Sequence, residues 1–351
     1  MKWFVLTHLG AENALERELK HLGLSATATT AACVVEASKE EMAQALYYMQ
    51  CATRVLLAVH QSTLGDVKPS LAEEYIGADE TFRVSVEVLP AGPDRTAMEL
   101  AAEYGEQISR KVNLDAPDKT VFFQVGTQAL CGIDVAGDLS KRYYRVFSNA
   151  HSVKGTLAAC IVYAFELSGG VLDPFGNTGE IAIEAAMRST KMSPLKYRKH
   201  EPVRVLEDER KAAFVDNPHE PAFPVWCFDP KLANLRTAKK NAKLAGVEKD
   251  MSFSKLDTEW MDVKFDEGEL SNIITIPPPV TKRSPDDKHL KELCYQAAFV
   301  LKRKGSLVVA CETEDTAQSL IKYAKDYKLR LREECVINSG SLPYHVMRYE
   351  L

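Results

Sequence analysis

The sequence predicts an α/β fold: a doubly wound, mostly parallel sheet with an antiparallel strand at its edge, preceded by two small α+β units. The chain has 351 residues, more than one core usually supports, so two or three domains are expected. From residue 171 onward, short apolar runs alternate with helical patterns, which is typical of a parallel sheet. The last two runs, "LRLREECVI" and "PYHVMRYEL", are joined by the short "NSGSL", which indicates a closing hairpin.

The first 150 residues contain two successive groups of short strands and helices. Residues 1–62 give a strand from Trp3 to Thr7, then helix "AENALERELKHLG", strand "ATATTAACVVEA", helix "KEEMAQALYYM" and strand "ATRVLLAVHQ". Residues 63–149 give a helix near residues 71–76, strand "TFRVSVEV", a helix over residues 97–111, and strands "VFFQV", "ALCGIDVAG" and "RYYRVF". No low-complexity linker separates the groups, which we predict to be two domains in tandem.

Residues 150–351 are predicted to form the third domain. The helix "SVKGTLAACIVYAFELSGG" comes first, followed by strand "VLDP", helix "IAIEAAMR", strand "PVWCFDP" and helix "KLANLRTAKKNAKLAG". Strands "MSFSKLD" and "SNIITI", helix "HLKELCYQAAFVLK", strand "GSLVVAC" and helix "TAQSLIKYAK" precede the hairpin. This alternation places several strand ends at one edge of the sheet.

The composition is that of an ordinary soluble protein, with 46% hydrophobic and 26% charged residues. No apolar segment is long enough to span a bilayer, and the first residues meet charge too early for a signal peptide, so we expect a cytoplasmic protein without membrane contact. Eight cysteines and eight histidines show no metal-ligand spacing, so no metal is expected. The net charge is −5, and any phosphate-binding face must therefore be a local patch.

Three acids stand at the ends of three successive predicted strands. Asp173 opens the loop "DPFGNTGE", whose glycines allow a tight turn before a helix N-terminus that can receive a negative group. Asp229 ends the next strand, where an acid can accept both hydroxyls of a ribose, and Asp257 ends the third, placed to meet an adenine amine. Each acid alone is equally well explained as a helix cap. Their ordered set favours a nucleotide-like ligand.

Three consecutive prolines, Pro277 to Pro279, end the apolar strand in "SNIITIPPPVTKR". Proline has no amide donor and cannot continue a central ladder, so the strand must stop in a rigid loop. Loops that leave the carboxyl ends of such strands are where ligands bind.

These segments resemble a known family. "VLDPFGNTGEIAIEAA", "FDPKLANLRTAKKNAKLAGV", "KLDT" and "NIITIPPP" are similar to the ordered motifs of S-adenosylmethionine-dependent methyltransferases that act on guanine exocyclic amines in RNA. "HLGAENALERELKHLG", "CATRVLLAV" and "GIDVAGDLSKRYYRVFSNAHSVKGTLAA" are similar to the THUMP-domain members, which modify tRNA and large-subunit rRNA. The resemblance covers nearly the whole chain. It implies a ferredoxin-like domain in residues 1–62, an RNA-docking THUMP domain in 63–149 and a Rossmann-like class I methyltransferase domain in 150–351.

The resemblance also implies roles for single residues. Gly176 and Gly179, with Asp173, would lie along the methionine part of the cofactor, Asp229 on its ribose and Asp257 by its adenine. Asn177 replaces a family glycine, and it can keep the turn because Asn tolerates left-handed backbone.

Two acids near this loop have competing interpretations. Glu180 suits the helix dipole, yet it brings negative charge near the expected cofactor carboxylate, which would weaken binding. Glu184 matches a family acid on the same helix, and it is equally well explained as a half-buried acid satisfied by the backbone.

The catalytic motif departs from the family pattern, which is Asn or Asp, Pro, Pro and an aromatic residue. These positions fall on Ile276, Pro277, Pro278 and Pro279. In the family, the Asn or Asp side chain and a backbone carbonyl accept hydrogen bonds from the target amine, and the ring stacks on the flipped base. Ile276 offers no side-chain acceptor and Pro279 offers only a small apolar face.

Two segments are candidate RNA contacts. "KRYYR" mixes cations with aromatic rings, which suits phosphate contact and base stacking, although an alternating strand with one wet face has the same pattern. "KMSPLKYRKHEPVR" gathers cations around a tyrosine, although most charge runs are solvated surface. The candidate RNA-binding residues are Lys141, Arg142, Tyr144, Arg145, Lys196 and Arg198.

Two functions fit these observations. The first is an RNA methyltransferase that uses S-adenosylmethionine, without a metal, to methylate a guanine in tRNA or rRNA. The second is a catalytically inactive family member that serves as an RNA-binding or protein-binding scaffold. Asp229 and Asp257 favour the first. The residues that favour the second are Ile276, Pro279, Asn177 and Glu180.

Overall fold

The structure is a computed structural model that describes residues 1–166, 168–197, 206, 209 and 219–351. Its described residues form two compact units. The first consists mainly of Met1–Tyr47 and Ala52–Leu139. The second contains Tyr48–Cys51 together with described residues of Ser140–Arg198 and Asp216–Leu351. Each unit is built around its own sheet.

The first unit contains one eight-stranded sheet with the strand order β2-β3-β1-β4-β8-β7-β5-β6. Its strands are β1 (Lys2–Leu6), β2 (Ala26–Thr29), β3 (Ala32–Glu36), β4 (Arg54–Thr63), β5 (Thr81–Val88), β6 (Lys111–Val112), β7 (Lys119–Val125) and β8 (Gln128–Asp134). Antiparallel pairing of β4 with β8 joins the two predicted strand groups into this single sheet. The domain boundary between residues 62 and 63 falls at the end of β4 and stays a prediction.

The helices of the first unit follow their apolar spacing. They are α1 (Glu12–His21), α2 (Lys39–Tyr48) and α3 (Ala97–Glu106), and a short 3-10 helix covers Pro69–Tyr75. Leu15 and Leu19 of α1 are buried, as one apolar helical face requires. The predicted single strand over residues 26–37 is wrong. The segment is the hairpin β2-β3, and Ala31 turns the chain with a φ of 53°.

The second unit contains a seven-stranded sheet with the strand order β11-β10-β9-β12-β13-β15-β14. Its strands are β9 (Val171–Asp173), β10 (Val225–Asp229), β11 (Met251–Lys255), β12 (Leu270–Thr275), β13 (Leu301–Cys311), β14 (Arg330–Ser339) and β15 (Leu342–Glu350). The first five are parallel to one another, and β15 pairs antiparallel with both β13 and β14. The predicted mostly parallel sheet with an antiparallel hairpin at its edge is confirmed.

The helices of the second unit are α4 (Gly155–Val162), α5 (Glu180–Thr190), α6 (Leu232–Ala245), α7 (Lys288–Val300) and α8 (Glu314–Asp326). The predicted helix over residues 152–170 is therefore shorter than expected. The predicted strand "RYYRVF" is wrong, because residues 142–147 form turns closed by local bonds from Arg145 N to Arg142 O and from Val146 N to Tyr144 O.

The chain reverses its winding direction next to β9. From β9 it passes to β10 and β11 on one side, whereas β12 and β13 lie on the other. The crevice at such a switch point, outside the carboxyl ends of the strands, is the usual ligand site of open α/β sheets. An apolar cluster beneath it includes Leu172, Phe228 and Ile273, which fixes the strands that end at the crevice. Across the described ranges, no helix is both long and apolar enough to cross a membrane.

Candidate functional site

A cavity of about 340 Å³ lies at the carboxyl ends of the parallel strands in the second unit. Its wall is formed by the loops after β9, β10, β11 and β12, so the residues predicted from these four strand ends meet in one place. The predicted residues that line it are Asp173, Gly176, Asn177, Asp229, Asp257, Ile276, Pro277, Pro278 and Pro279. Among the predicted cofactor residues, Gly179 lies at the start of α5 beside the cavity wall.

Asp173, the last residue of β9, is buried with only 2% of its surface exposed. Its Oδ1 accepts hydrogen bonds from Thr275 Oγ1 at 2.7 Å and from Phe175 N at 3.2 Å. The pKa of Asp173 is raised to about 7, chiefly by burial; the two hydrogen bonds oppose this rise, and the charges of Asp229 and Glu180 add to it. This carboxyl group therefore changes its charge near neutral pH.

The loop after Asp173, which we call the cofactor loop (residues 174–179), makes a tight turn against β10. Gly176 N donates to Phe228 O at 2.7 Å, and a Cβ at Gly176 would stand 2.5 Å from the sulfur of Cys227. Only glycine fits this approach. Asn177 has a φ of 44°, so it keeps the left-handed turn as predicted. Its side-chain Oδ1 accepts a bond of 2.6 Å from Asn149 Nδ2.

Glu180 begins α5 and is buried, with 3% of its surface exposed. Burial raises its pKa, whereas hydrogen bonds from Thr178 and the nearby Arg145 lower it. Thr178 Oγ1 lies 2.6 Å from the carboxylate, and Arg145 Nε lies 3.5 Å from Oε1. The negative charge expected beside the cofactor site is therefore partly balanced by Arg145.

Asp229, the last residue of β10, is 5% exposed and accepts several hydrogen bonds. Lys231 N donates to Oδ1 at 2.7 Å and Asn177 N donates to Oδ2 at 2.9 Å. Asn234 Nδ2 lies 3.1 Å from each carboxylate oxygen. The carboxylate thus ties the cofactor loop to the start of α6, with its oxygens at the cavity wall.

Asp257 is exposed and directly precedes a short 3-10 helix, Thr258–Val263. It lines the cavity, as expected from its position after the third strand. The ends of β9, β10 and β11 thus bring Asp173, Asp229 and Asp257 to one cavity.

The proline loop, Ile276–Pro279, follows β12 and forms another part of the cavity wall. Ile276 contributes only apolar atoms from its side chain. The chain after the prolines is held by two threonines: Val280 N donates to Thr316 Oγ1 at 2.8 Å, and Thr313 Oγ1 donates to Val280 O at 2.9 Å. His289 Nε2 lies 2.9 Å from Pro278 O.

Sequence reasoning missed Asn234, Thr275 and His289, which contact the predicted residues of the site. Asn234 follows Asp229 by five residues and lies in the first turn of the next helix. A polar residue at that position could have been predicted to contact the strand-end acid. Thr275 and His289 had no such signal, because their partners belong to other elements of the sheet.

The prediction that Arg142 and Tyr144 contact RNA is corrected by their burial. Arg142 Nε donates to Glu184 Oε1 at 2.9 Å, and Tyr144 OH donates to the same oxygen at 2.7 Å. Gln50 Nε2 adds a bond of 2.7 Å to Glu184 Oε2. Glu184 thus has a structural role, but it is fully buried rather than half-buried, and side chains rather than the backbone donate to its carboxylate. Arg142 and Tyr144 therefore lie in the interior and not at the surface.

The other predicted RNA-contacting residues differ in their surroundings. Lys141 is exposed, Lys196 is half-buried with its Nζ 5.5 Å from the Tyr197 ring, and Arg145 also donates to Ser152 O at 3.2 Å. Arg198 lies outside the described residues. Within the part of the chain that the structure describes, no group of three His, Cys, Asp or Glu side chains could hold a metal ion.

Comparison with protein families gives two matches. Residues 142–342 match the family model described as "RMKL-like, methyltransferase domain". Residues 2–56 match the model described as "RlmL ferredoxin-like domain", in agreement with the ferredoxin-like fold expected at the N-terminus. The THUMP assignment of residues 63–149 stays a prediction.

Two curated relatives act on RNA according to their names. The tRNA (guanine(6)-N2)-methyltransferase of Methanocaldococcus jannaschii is 29% identical over 244 residues, covering 63% of this chain and 62% of the relative. The ribosomal RNA large subunit methyltransferase K/L of Vibrio campbellii is 24% identical over 384 aligned positions, covering 100% of this chain and 53% of the relative. The chain thus spans about half the length of the K/L relative.

Two solved structures share the fold along nearly the whole chain. A protein described as "a possible methylase from Clostridium difficile 630" has a TM-score of 0.78 at 22% identity, covering 99% of this chain and 97% of that one. SMU.472, solved in complex with SAH, has a TM-score of 0.71 at 18% identity, again covering 99% and 97%. At these identities the likeness establishes the fold.

Proposed function

The chain belongs to the family of RMKL-like methyltransferase domains, and from this premise we propose that it methylates the exocyclic amine of a guanine in tRNA or rRNA with S-adenosylmethionine. The observation that carries the proposal is the cavity lined by Asp173, Asp229, Asp257 and the proline loop. The two curated relatives, named for guanine-N2 and large-subunit rRNA methylation, support the RNA substrate. We expect the reaction to take place in the cytoplasm.

The residues of the cavity fit this cofactor. Its volume of about 340 Å³ lies in the range of small-molecule sites, roughly 300–1,000 Å³. Asp229 would accept the ribose hydroxyls and share its oxygens with Asn234, while Asp257 would meet the adenine amine. The methionine part would follow the cofactor loop, where the missing side chain of Gly176 permits close approach to the backbone.

When bound, S-adenosylmethionine supplies a methyl group on a sulfonium ion, and the products are the methylated amine, S-adenosylhomocysteine and a proton. The chain must orient the amine so that its lone pair points at the methyl group. Since Ile276 has no side-chain acceptor, backbone carbonyls of the proline loop would accept the hydrogen bonds of the amine. A guanine in RNA must leave its stack to reach them.

Among the residues predicted to contact RNA that the structure describes, two cations are candidates for phosphate contacts. Lys141 and Lys196 remain candidates for phosphate contacts, whereas Arg142 is buried on Glu184 and Arg145 faces Glu180. Because phosphate contacts supply most of the salt-dependent affinity, we expect modest RNA affinity from this part of the chain.

The inactive-scaffold alternative has its basis in Ile276 and Pro279. The two curated relatives give it no support, since both are named as methyltransferases. Cofactor binding is the property that separates the two functions without knowledge of the RNA.

Calorimetric titration with S-adenosylmethionine and S-adenosylhomocysteine tests the proposal. We expect the wild-type protein to bind both at roughly micromolar Kd. Asp229→Ala should weaken binding by about tenfold or more, which corresponds to ~1.4 kcal/mol for lost hydrogen bonds to a charged group. Asp326→Ala removes an exposed acid at the end of α8, outside the cavity, and should leave binding unchanged. Folded wild-type protein that gives no binding heat at millimolar cofactor would contradict the proposal.

A further inference from the structure

The proline loop cannot anchor its own backbone. Pro277, Pro278 and Pro279 have no amide hydrogen, so the loop makes no hydrogen bond as a donor over three successive residues. Its orientation must therefore come from donors on other elements that reach its carbonyl oxygens. The threonine pair described above acts one residue later, at Val280.

His289 provides a donor in the middle of the triplet. Its Nε2 lies 2.9 Å from Pro278 O, and a carbonyl oxygen can only accept, so Nε2 carries the hydrogen. His289 is the second residue of α7 and is half-buried in the cavity wall. Burial lowers its pKa, against the effects of the Pro278 bond and the charges of Asp286 and Asp287. The lowered pKa favours the neutral form of the ring.

The same ring touches the cofactor loop. The centroids of His289 and Phe175 are 5.9 Å apart, with an interplanar angle of 90°, an edge-to-face contact. Phe175 N in turn donates to Asp173 at the end of β9. One imidazole therefore joins the loop expected to carry the methyl donor to the loop expected to receive the amine.

We propose that His289 is a positioning residue that couples the two loops, holding the carbonyl of Pro278 so that the proline loop is set relative to Phe175 and the cofactor loop. This inference rests on the proposed function, because it assigns the proline loop the role of acceptor for the amine. Ile276 stands where the family has Asn or Asp, so the backbone carbonyls are the acceptors that remain in the proline loop. Their orientation is therefore more important than it is in the family.

Two substitutions of His289 distinguish the contribution of its hydrogen bond to Pro278 from that of its ring contact with Phe175. His289→Phe keeps an aromatic ring beside Phe175 and loses the donor. His289→Gln loses the ring and keeps an N–H that reaches the Pro278 carbonyl. Methyl transfer is measured from tritiated S-adenosylmethionine to unmodified tRNA and rRNA transcripts. We expect His289→Phe to lower kcat roughly tenfold or more, with KM for the cofactor within about twofold of wild type.

His289→Gln should recover kcat to within about threefold of wild type. Wild-type kcat in His289→Phe would overturn the proposal. Equal loss in both variants, with wild-type thermal stability and cofactor affinity, would also overturn it, because the donor kept in His289→Gln would then restore no activity.

Nuclear magnetic resonance of the wild-type imidazole tests the geometry independently of catalysis. Long-range ¹H–¹⁵N spectra, with His289 assigned by its absence in His289→Gln, should show the neutral Nε2–H tautomer at pH 7.5. Addition of S-adenosylmethionine should shift these ring signals through Phe175. An Nδ1–H tautomer, or signals that stay unchanged at saturating cofactor, would overturn the coupling. If the wild-type protein transfers no methyl group, the proposed function fails, whereas these spectra still decide the role of His289.

Discussion

Replacing Asp173 by Asn should stabilise the protein at neutral and alkaline pH. The carboxyl group has a pKa raised from 3.8 to about 7, chiefly by burial. The folded state therefore holds a proton between these pH values that the unfolded state releases, and stability falls as pH rises through this window. A rise of the pKa from 3.8 to about 7 corresponds to about 4 kcal/mol, the upper limit of the stability lost. Asn has no charge to bury, and its oxygen can still accept from Thr275 and Phe175.

Urea unfolding of wild type and Asp173→Asn at pH 4, 5.5, 7 and 8.5 measures this effect. The two proteins should have similar free energies of unfolding at pH 4. The variant should become progressively more stable up to pH 7, and the difference should stay constant above it. If the difference in free energy of unfolding between the two proteins is the same at all four pH values, the burial argument is refuted. The same variant should bind S-adenosylmethionine more weakly, since a carboxylate that can pair with the ammonium group of the methionine part is lost.

Three further substitutions test the two loops. Gly176→Ala should lower the free energy of unfolding by about 1–3 kcal/mol, because its Cβ would stand 2.5 Å from the Cys227 sulfur, and thermal unfolding checks this. Glu180→Gln should tighten cofactor binding about fivefold in calorimetry, equivalent to about 1 kcal/mol, because it removes negative charge near the cofactor carboxylate. Ile276→Asn combined with Pro279→Tyr should raise methyl transfer roughly tenfold or more in a tritium assay, because it restores an acceptor and a stacking ring.

Two of these substitutions have matched control variants. Gly65→Ala adds a Cβ that has no heavy atom within 4 Å, and it should leave stability nearly unchanged. Equal destabilisation by both glycine variants would contradict the contact with Cys227. Glu312→Gln removes another acid of the cavity wall. If Glu312→Gln tightens cofactor binding as much as Glu180→Gln does, the tighter binding results from the overall charge of the cavity and not from the charge near the methionine part.

Much of the fold could be predicted because its signals are local. Apolar strands of the second unit alternate with helices, and the glycine-rich turn after Asp173 marks a strand-to-helix connection. The turn within residues 26–37 was missed because Ala31 is neither glycine nor asparagine, and its left-handed backbone leaves no sequence signal. Local rules also gave no reason to expect that β4 pairs with β8, since that contact joins distant segments.

In the candidate site, too, the residues with local signals could be predicted and those with distant partners could not. Asp173, Asp229 and Asp257 could be predicted because the carboxyl ends of parallel strands share one edge of the sheet. Arg142 and Tyr144 were assigned to the surface because alternating cations and rings look alike inside and outside. Their partner Glu184 lies on α5, about forty residues away, so only the folded chain reveals their burial.

The most direct test of the central claim is methyl transfer itself. Purified protein is incubated with tritiated S-adenosylmethionine and unmodified transcripts of tRNA and large-subunit rRNA, and the RNA is digested to nucleosides. We expect labelled N2-methylguanosine, reduced roughly tenfold or more in Asp229→Ala at cofactor concentrations below the wild-type Kd and retained in Asp326→Ala. Absence of label from both RNAs, with cofactor binding intact, would contradict the claim.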